Sequence, residues 1–248
     1  MRSARRQPRG VDVNEEIKAR LMGLAVTDDQ VANMNARRHE EFIRQGRNKL
    51  TVAIGSRYFG CRLSNFLIDQ NDGDPSYAKR RLTAVKRLGA YQDQIDQNIN
   101  QGSNLLILGP CGTGKDHLLA ATMYGAIESG YGVEWSDGLG LQARFRRAFA
   151  STEPGATDML LRSLVSPDVL AISDPVPPTS RSREWADNML FQIIDSRYRH
   201  SRPTWITANI GSRAEADELL GAPVADRLRH NAVTIECFWP SFRKVQHE

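Results

Sequence analysis

Leu105-Leu106-Ile107-Leu108 runs directly into Gly109-Pro110-Cys111-Gly112-Thr113-Gly114-Lys115, and Leu118 to Ala126 then reads as a helix. An apolar strand, a glycine-rich turn closed by lysine and a helix form the arrangement that cradles nucleotide phosphates. Glycines let the backbone curl until successive N–H groups point at phosphate oxygens, and the helix that follows presents its positive N-terminal end. Lys115 adds a mobile point charge for the outer phosphates. A ligand-free glycine turn between strand and helix is the competing reading, and spacing, lysine and flanks together weigh against it.

One position departs from the motif. The residue after the lysine, ordinarily a Ser or Thr whose hydroxyl ligates magnesium, is Asp116. A carboxylate also ligates magnesium, but it sets negative charge beside the phosphates. Two unit charges about 4 Å apart at an effective dielectric near 20 interact by roughly 4 kcal/mol, so an ionised Asp116 must be offset by the metal or turned away.

The elements that position this loop follow from the apolar pattern. Short runs at Leu105–Leu108, Val133–Trp135, Val169–Ile172 and Thr204–Ala208 alternate with helical stretches at Lys115–Ser129, Leu139–Ala150 and Trp185–Tyr198. Continuous apolar runs separated by helices are what a parallel sheet covered on both faces requires, so the expected fold is α/β with three layers. Upstream, Tyr77 to Ile99 carries helical spacing through Leu82, Val85, Leu88, Tyr91 and Ile95, after a turn-forming stretch that ends Asn71-Asp72-Gly73-Asp74-Pro75. Residues 14–48 read as two helices, with Ile17, Leu21 and Leu24 on the first, and Val31, Met34 and Phe42 on the second, which Thr27 or Asp28 would cap. The division expected is a basic helical arm over residues 1–50 and a nucleotide-binding domain over 51–248.

With the loop in hand, the chain resembles the AAA+ ATPases of the DnaC and IstB type, the bacterial helicase loaders and transposition helper ATPases. The resemblance covers about residues 55 to 245. It rests on Arg57-Tyr58-Phe59-Gly60-Cys61-Arg62-Leu63-Ser64-Asn65-Phe66, on the loop continuing through Asp116, His117 and Leu118, and on Pro203-Thr204-Trp205-Ile206-Thr207-Ala208-Asn209. Asp226-Arg227-Leu228-Arg229 and Ser241-Phe242-Arg243 complete it. It implies ATP and Mg2+ as cofactors, with Asp116 and His117 joining the loop residues at the nucleotide. Asn209 matches a strand-end residue that senses the outer phosphate, Arg227 an arginine finger that reaches a neighbouring copy of the chain, and Arg243 a second sensor. The bland alternatives are a turn asparagine and two surface arginines.

The acidic strand end fits the family least well. Val169-Leu170-Ala171-Ile172 is followed by Ser173-Asp174-Pro175 where the family carries two successive acids. Ser173 stands in place of the magnesium-binding acid and Asp174 in place of the catalytic glutamate. Asp116 and Asp174 are then the candidate magnesium ligands, and Lys115, Asp174, Asn209 and Arg227 the candidate catalytic set. A serine does not supply the missing charge, so slow or absent hydrolysis is expected.

Gln142-Ala143-Arg144-Phe145-Arg146-Arg147-Ala148-Phe149 puts three arginines and two aromatic rings on one short helix. Arginines neutralise the phosphates of a single strand while rings stack its bases, which makes Arg144, Phe145, Arg146 and Arg147 candidates for single-stranded DNA. An amphipathic helix with its phenylalanines in the core fits the same residues. The resemblance implies that the N-terminal arm docks a replicative helicase or a transposase, and that copies of the chain assemble through Arg227. A helicase-loader-like replication protein is the first reading, with a transposition helper or a non-hydrolysing nucleotide-gated adaptor as alternatives.

Composition narrows the rest. The formal charge is +4, and the first fifty residues hold eleven Lys/Arg against seven Asp/Glu, which accounts for the whole surplus. The basic bias is therefore local to one end. Three widely spaced cysteines, Cys61, Cys111 and Cys237, form no CxxC pair, so neither a disulfide framework nor a zinc site is expected. No run approaches the ~18 to 20 apolar residues that span a bilayer, and a cytoplasmic protein with no membrane partner is expected.

Overall fold

The computed structural model describes residues 28–69, 74–176, 183–212 and 215–243. Strands β1 (Asn104–Gly109), β2 (Val133–Asp137), β3 (Val169–Ser173), β4 (Thr204–Asn209) and β5 (Ala232–Glu236) form one sheet in the order β2-β3-β4-β1-β5, and every neighbouring pair is parallel.

Alternation along the strands divides the core in two. Leu105, Ile107, Val169, Ala171, Trp205 and Ile235 face one cluster, while Leu106, Leu108, Leu170, Ile172, Ile206 and Ala208 face the other. The first cluster is covered by α1 (Asp28–Ile54), α2 (Pro75–Asp93), α3 (Ile95–Asn100) and α4 (Lys115–Glu128). The second is covered by α5 (Gly138–Ala150), α6 (Ala156–Val165), α7 (Arg183–Arg199), α8 (Glu215–Leu220) and α9 (Ala222–Arg229). With both faces covered, the strands need no polar side, which is why they read as unbroken apolar runs. The three-layer α/β expectation holds.

The helix that follows the glycine loop is apolar all round. Leu118, Leu119, Ala120, Ala121, Met123, Tyr124, Ala126 and Ile127 are all buried, because α4 lies between the sheet and the outer helices α1 and α2. The outer layer is fastened to it by polar contacts as well. The Thr51 and Tyr124 hydroxyls lie 2.9 Å apart, and Lys49 pairs with Glu134 of β2 at 2.8 Å. On the far side, fully buried Arg197 of α7 donates to the carbonyls of Leu164, Val165, Pro167, Asp168 and Pro203, tying the end of α6 to the starts of β3 and β4.

Several elements differ from the sequence expectation. The helix expected from Tyr77 to Ile99 breaks at Gln94, beyond which the Asn98 amide donates to the Tyr91 carbonyl and so competes with the helical ladder. Helices α6, α8 and α9 and the strand β5 go beyond the pattern of the sequence, being ten, six, eight and five residues long. α1 runs unbroken through the division drawn between residues 50 and 51, and Leu50 and Ile54 are buried in the core. The last turns of the expected arm therefore pack as part of the body. The first helix of the arm, the Thr27 cap and residues 71–73 lie outside the described residues. Among the described residues no helix is long and apolar enough to cross a membrane.

Candidate nucleotide-binding site

A sheet whose strands are all parallel delivers every carboxyl end to one edge, so the end of β1 sits beside the ends of its neighbours. Gly109 is in register with Asn209, and Ser173 with Thr207. The loop between β1 and α4 folds over this edge, with Gly112 at φ 81° and Gly114 at φ 84°. A β-carbon at Gly112 would lie 2.0 Å from the Ser241 hydroxyl, and one at Gly114 would lie 2.7 Å from the Phe66 ring. Both positions need glycine for conformation and for space. The chain after β5 braces the loop from outside: Trp239 Nε1 donates to the Thr113 carbonyl at 2.9 Å, and Phe242 N to the Gly112 carbonyl at 2.9 Å.

Lys115, 5% exposed, donates from Nζ to the Pro110 carbonyl at 2.8 Å and to Asn209 Oδ1 at 2.7 Å. Asn209 in turn donates from Nδ2 to Asp174 Oδ2. Asp174 is held by its own backbone, whose N–H donates to the Thr207 carbonyl at 3.1 Å, and it adopts φ 45°, rare for a residue with a side chain. Burial lowers the Lys115 pKa against the pull of Asp174 and Asp116. Burial, and then the charge of Asp116, raise that of Asp174, while Lys115 and Asn209 oppose the rise.

A second cluster lies alongside. Asp116 Oδ1 accepts from the Ser173 hydroxyl at 2.7 Å and from the Thr207 hydroxyl at 3.2 Å, and those two hydroxyls are 3.2 Å apart. Burial and the Asp116 charge together raise the pKa of the Tyr58 phenol, which points at Asp116 Oδ2 from 3.5 Å. Among the described residues, no three His, Cys, Asp or Glu side chains come together as a metal cluster. The donors here are instead two carboxylates and neighbouring hydroxyls, and Asp174 Oδ1 is buried with no hydrogen-bond partner among the described residues. An all-oxygen set with few carboxylates suits magnesium, which keeps waters and shares phosphate oxygens instead of filling its shell from protein.

Gly112, Gly114, Lys115, Asp116, Asp174 and Asn209 line a cavity of about 500 Å³, while Ser173 lies in a neighbouring hollow behind Asp116. Cys111, His117 and Arg243 also line the cavity, whereas Gly109, Pro110 and Thr113 of the loop do not; His117 Nε2 is 3.0 Å from the Arg62 carbonyl and its ring is edge-on to Phe66. Tyr58, Phe66 and Phe242 also line it, and the sequence assigns them no role. Their signal lies in the two family-like segments that carry them, which name the right stretch of chain but not the side chain that turns inward.

Other expected residues sit elsewhere. Arg227 lies at the opposite edge of the sheet, in a hollow with Asn104 and Thr204, the first residues of β1 and β4. It donates to Asp195 at 2.8 Å and to the Pro223 carbonyl at 3.0 Å, and stacks on Phe191 at 4.8 Å. On α5, Phe145 is 1% exposed and packs in the second core cluster, so its ring is not offered to a base. Arg144 is committed to Glu134 at 2.9 Å and to the Ser163 hydroxyl at 3.2 Å. Arg146 and Arg147 are exposed, and the exposed ring of this helix is Phe149.

A glycine loop closed by lysine at the carboxyl edge of this five-stranded parallel sheet, with a β4 asparagine reaching the lysine, defines a P-loop protein of the AAA+ kind. Residues 85–248 match the family of IstB-like ATP binding proteins, and the chain belongs to that family. It is 32% identical over 177 residues to an ATP-binding protein of insertion sequence IS5376 from Geobacillus stearothermophilus, covering 68% of this chain and 63% of that one. It is 30% identical to an insertion sequence ATP-binding protein from Sinorhizobium fredii, over 70% of this chain and 55% of the relative. The chain thus spans somewhat under two thirds of the curated relatives it matches. In fold it resembles the DnaC helicase loader (TM-score 0.61, 20% identity, 73% of this chain and 99% of that one) and DnaI (TM-score 0.56, 21% identity, 76% and 94%).

Proposed function

We propose that the chain binds ATP with magnesium at the carboxyl edge of its sheet and uses the bound state to deliver a DNA-acting partner to DNA. The observation that carries the nucleotide site is the linked set Lys115, Asn209 and Asp174, which joins the loop lysine to the ends of β4 and β3, while the partner is argued from the relatives. Lys115 meets the outer phosphates, and Asn209, already hydrogen-bonded to it, reports their presence to Asp174. Asp116 and Asp174 are the residues that would hold magnesium, and Arg243 lies within reach of the same cavity. When bound, the metal neutralises phosphate charge. Asp174 is the group placed to orient an attacking water, so the chain's capacity for hydrolysis rests on it.

The curated relatives are named as ATP-binding proteins of insertion sequences, which favours a transposase as the partner. The helicase-loader reading draws on likeness of fold, with DnaC matched along 99% of its length. Capture by a purified transposase and by a replicative hexameric helicase, each with ATP and with ADP, separates the two. For the site itself, Lys115→Ala removes a charge-assisted contact worth about 1.5–3 kcal/mol, so affinity for a fluorescent ATP analogue should fall roughly 10- to 100-fold with the fold intact by circular dichroism. Unchanged affinity would overturn the assignment of this loop.

A further inference from the structure

In P-loop proteins generally, magnesium takes a hydroxyl from the residue after the loop lysine and a carboxylate from the end of a neighbouring strand. This chain has a carboxylate, Asp116, at the first position and a hydroxyl, Ser173, at the second. Taken one at a time, these are two defects. The structure puts them in contact: Ser173 Oγ donates to Asp116 Oδ1 at 2.7 Å, across the gap between the first turn of α4 and the end of β3.

We infer that the two residues are a reciprocal exchange, in which the carboxylate of the magnesium site comes from the helix and its hydroxyl from the strand. The inference rests on the nucleotide-binding reading above and deepens it. The exchange keeps one carboxylate and one hydroxyl on the same two backbone positions, so the donor set and the charge facing the loop are conserved. Thr207 supports the arrangement, since its hydroxyl reaches both Asp116 Oδ1 and Ser173 Oγ at 3.2 Å and holds the carboxylate on the strand side. Asp174, next along the chain and within reach of the Asp116 charge, keeps one buried oxygen without a hydrogen-bond partner among the described residues. Asp116 Oδ1 is engaged by hydroxyl donors, and the charge that Asp116 brings is the one that Ser173 does not supply.

The test is a mutant cycle read by Mn2+ binding in the presence of ADP, using the electron paramagnetic resonance signal of free Mn2+, with no turnover required. Asp116→Thr leaves two hydroxyls and no exchanged carboxylate, and should weaken Mn2+ binding at least about tenfold, the scale on which metal-site partners act. Ser173→Asp sets two carboxylates against each other, and should lower the thermal midpoint in EDTA and recover it on adding Mn2+. The double variant Asp116→Thr/Ser173→Asp restores the ordinary order and should bind Mn2+ within a few-fold of the parent. Asp116→Asn keeps the size and the Ser173 contact and removes only charge, so it reports on the carboxylate even where the double variant fails to fold; its Mn2+ affinity should fall with that of Asp116→Thr. Parental Mn2+ affinity in both Asp116 variants, or a folded double variant no better than Asp116→Thr alone, overturns the exchange. Binding of fluorescent ADP in EDTA, measured on the same samples, separates the two levels: no binding by the parent overturns the nucleotide reading, while normal binding with an additive cycle overturns only the exchange.

Discussion

Arg227 owes its position to Asp195 as much as to its own helix. Partial burial raises the Asp195 carboxyl, but hydrogen bonds from Arg227 and Arg199 outweigh it and hold the group below the ordinary carboxylate range. A carboxylate held low stabilises the fold above its ordinary titration range and loses that contribution as pH falls through its lowered pKa. Asp195→Asn should therefore lower the thermal midpoint by a constant amount between about pH 5 and 8, with the gap closing towards about pH 3. A gap that widened in acid would mean that a different acid holds the arginine. Lys115 is legible in the sequence because residue type and local order carry its chemistry, whereas Asn209 is reached only through the family resemblance. The contact of Asp116 with Ser173 is not legible, since it joins residues 57 apart and no periodicity says which strand ends beside which helix.

Helix α5 shows how one element divides between two uses. Leu141 and Phe145, four residues apart, face the core, whereas the sequence leaves open whether that ring is buried or stacking. Composition alone gives arginines and rings on a short helix; only the neighbouring Glu134 and Ser163 show that Arg144 is taken and that Arg146, Arg147 and Phe149 remain on the surface. Changing Arg146 and Arg147 together to Ala should flatten the salt dependence of single-stranded DNA binding by about 1.4 in the slope of log affinity against log salt, at about 0.7 for each phosphate left without its arginine. A parental slope in the double variant would remove this helix from the DNA surface. The elements that the sequence does not mark, α6, α8, α9 and β5, are ten, six, eight and five residues long, and elements this short carry a weak periodic signal.

Across the whole molecule, the glycine loop and Arg227 occupy opposite edges of one sheet, and β1 alone separates them by about 16–20 Å at ~3.3 Å per residue. A single copy cannot bring them together, so any role for Arg227 at phosphates belongs to an assembly of copies, where Asp195 must first give it up. Arg227→Ala should leave nucleotide binding by isolated chains nearly intact and reduce turnover that rises with protein concentration. Mixed with Lys115→Ala protein it should regain part of that turnover, because one kind of interface then pairs an intact loop with an intact arginine. Co-assembled mixtures no more active than either parent would end the proposal of a finger shared between copies.

Helix α1 is a rod of 27 residues, about 40 Å long at 1.5 Å per residue, with its last turns fastened to α4 and β2 and much of its first half exposed. Only Gly55 and one short turn, Ser56–Tyr58, lie between the end of that rod and the phenol that faces Asp116. A partner that bound the outer end of the rod and shifted Tyr58 would thereby alter the side of the cleft that holds Asp116. Thermodynamic reciprocity then runs both ways: whatever grips the arm and displaces Tyr58 changes nucleotide affinity by the same factor by which nucleotide changes the grip.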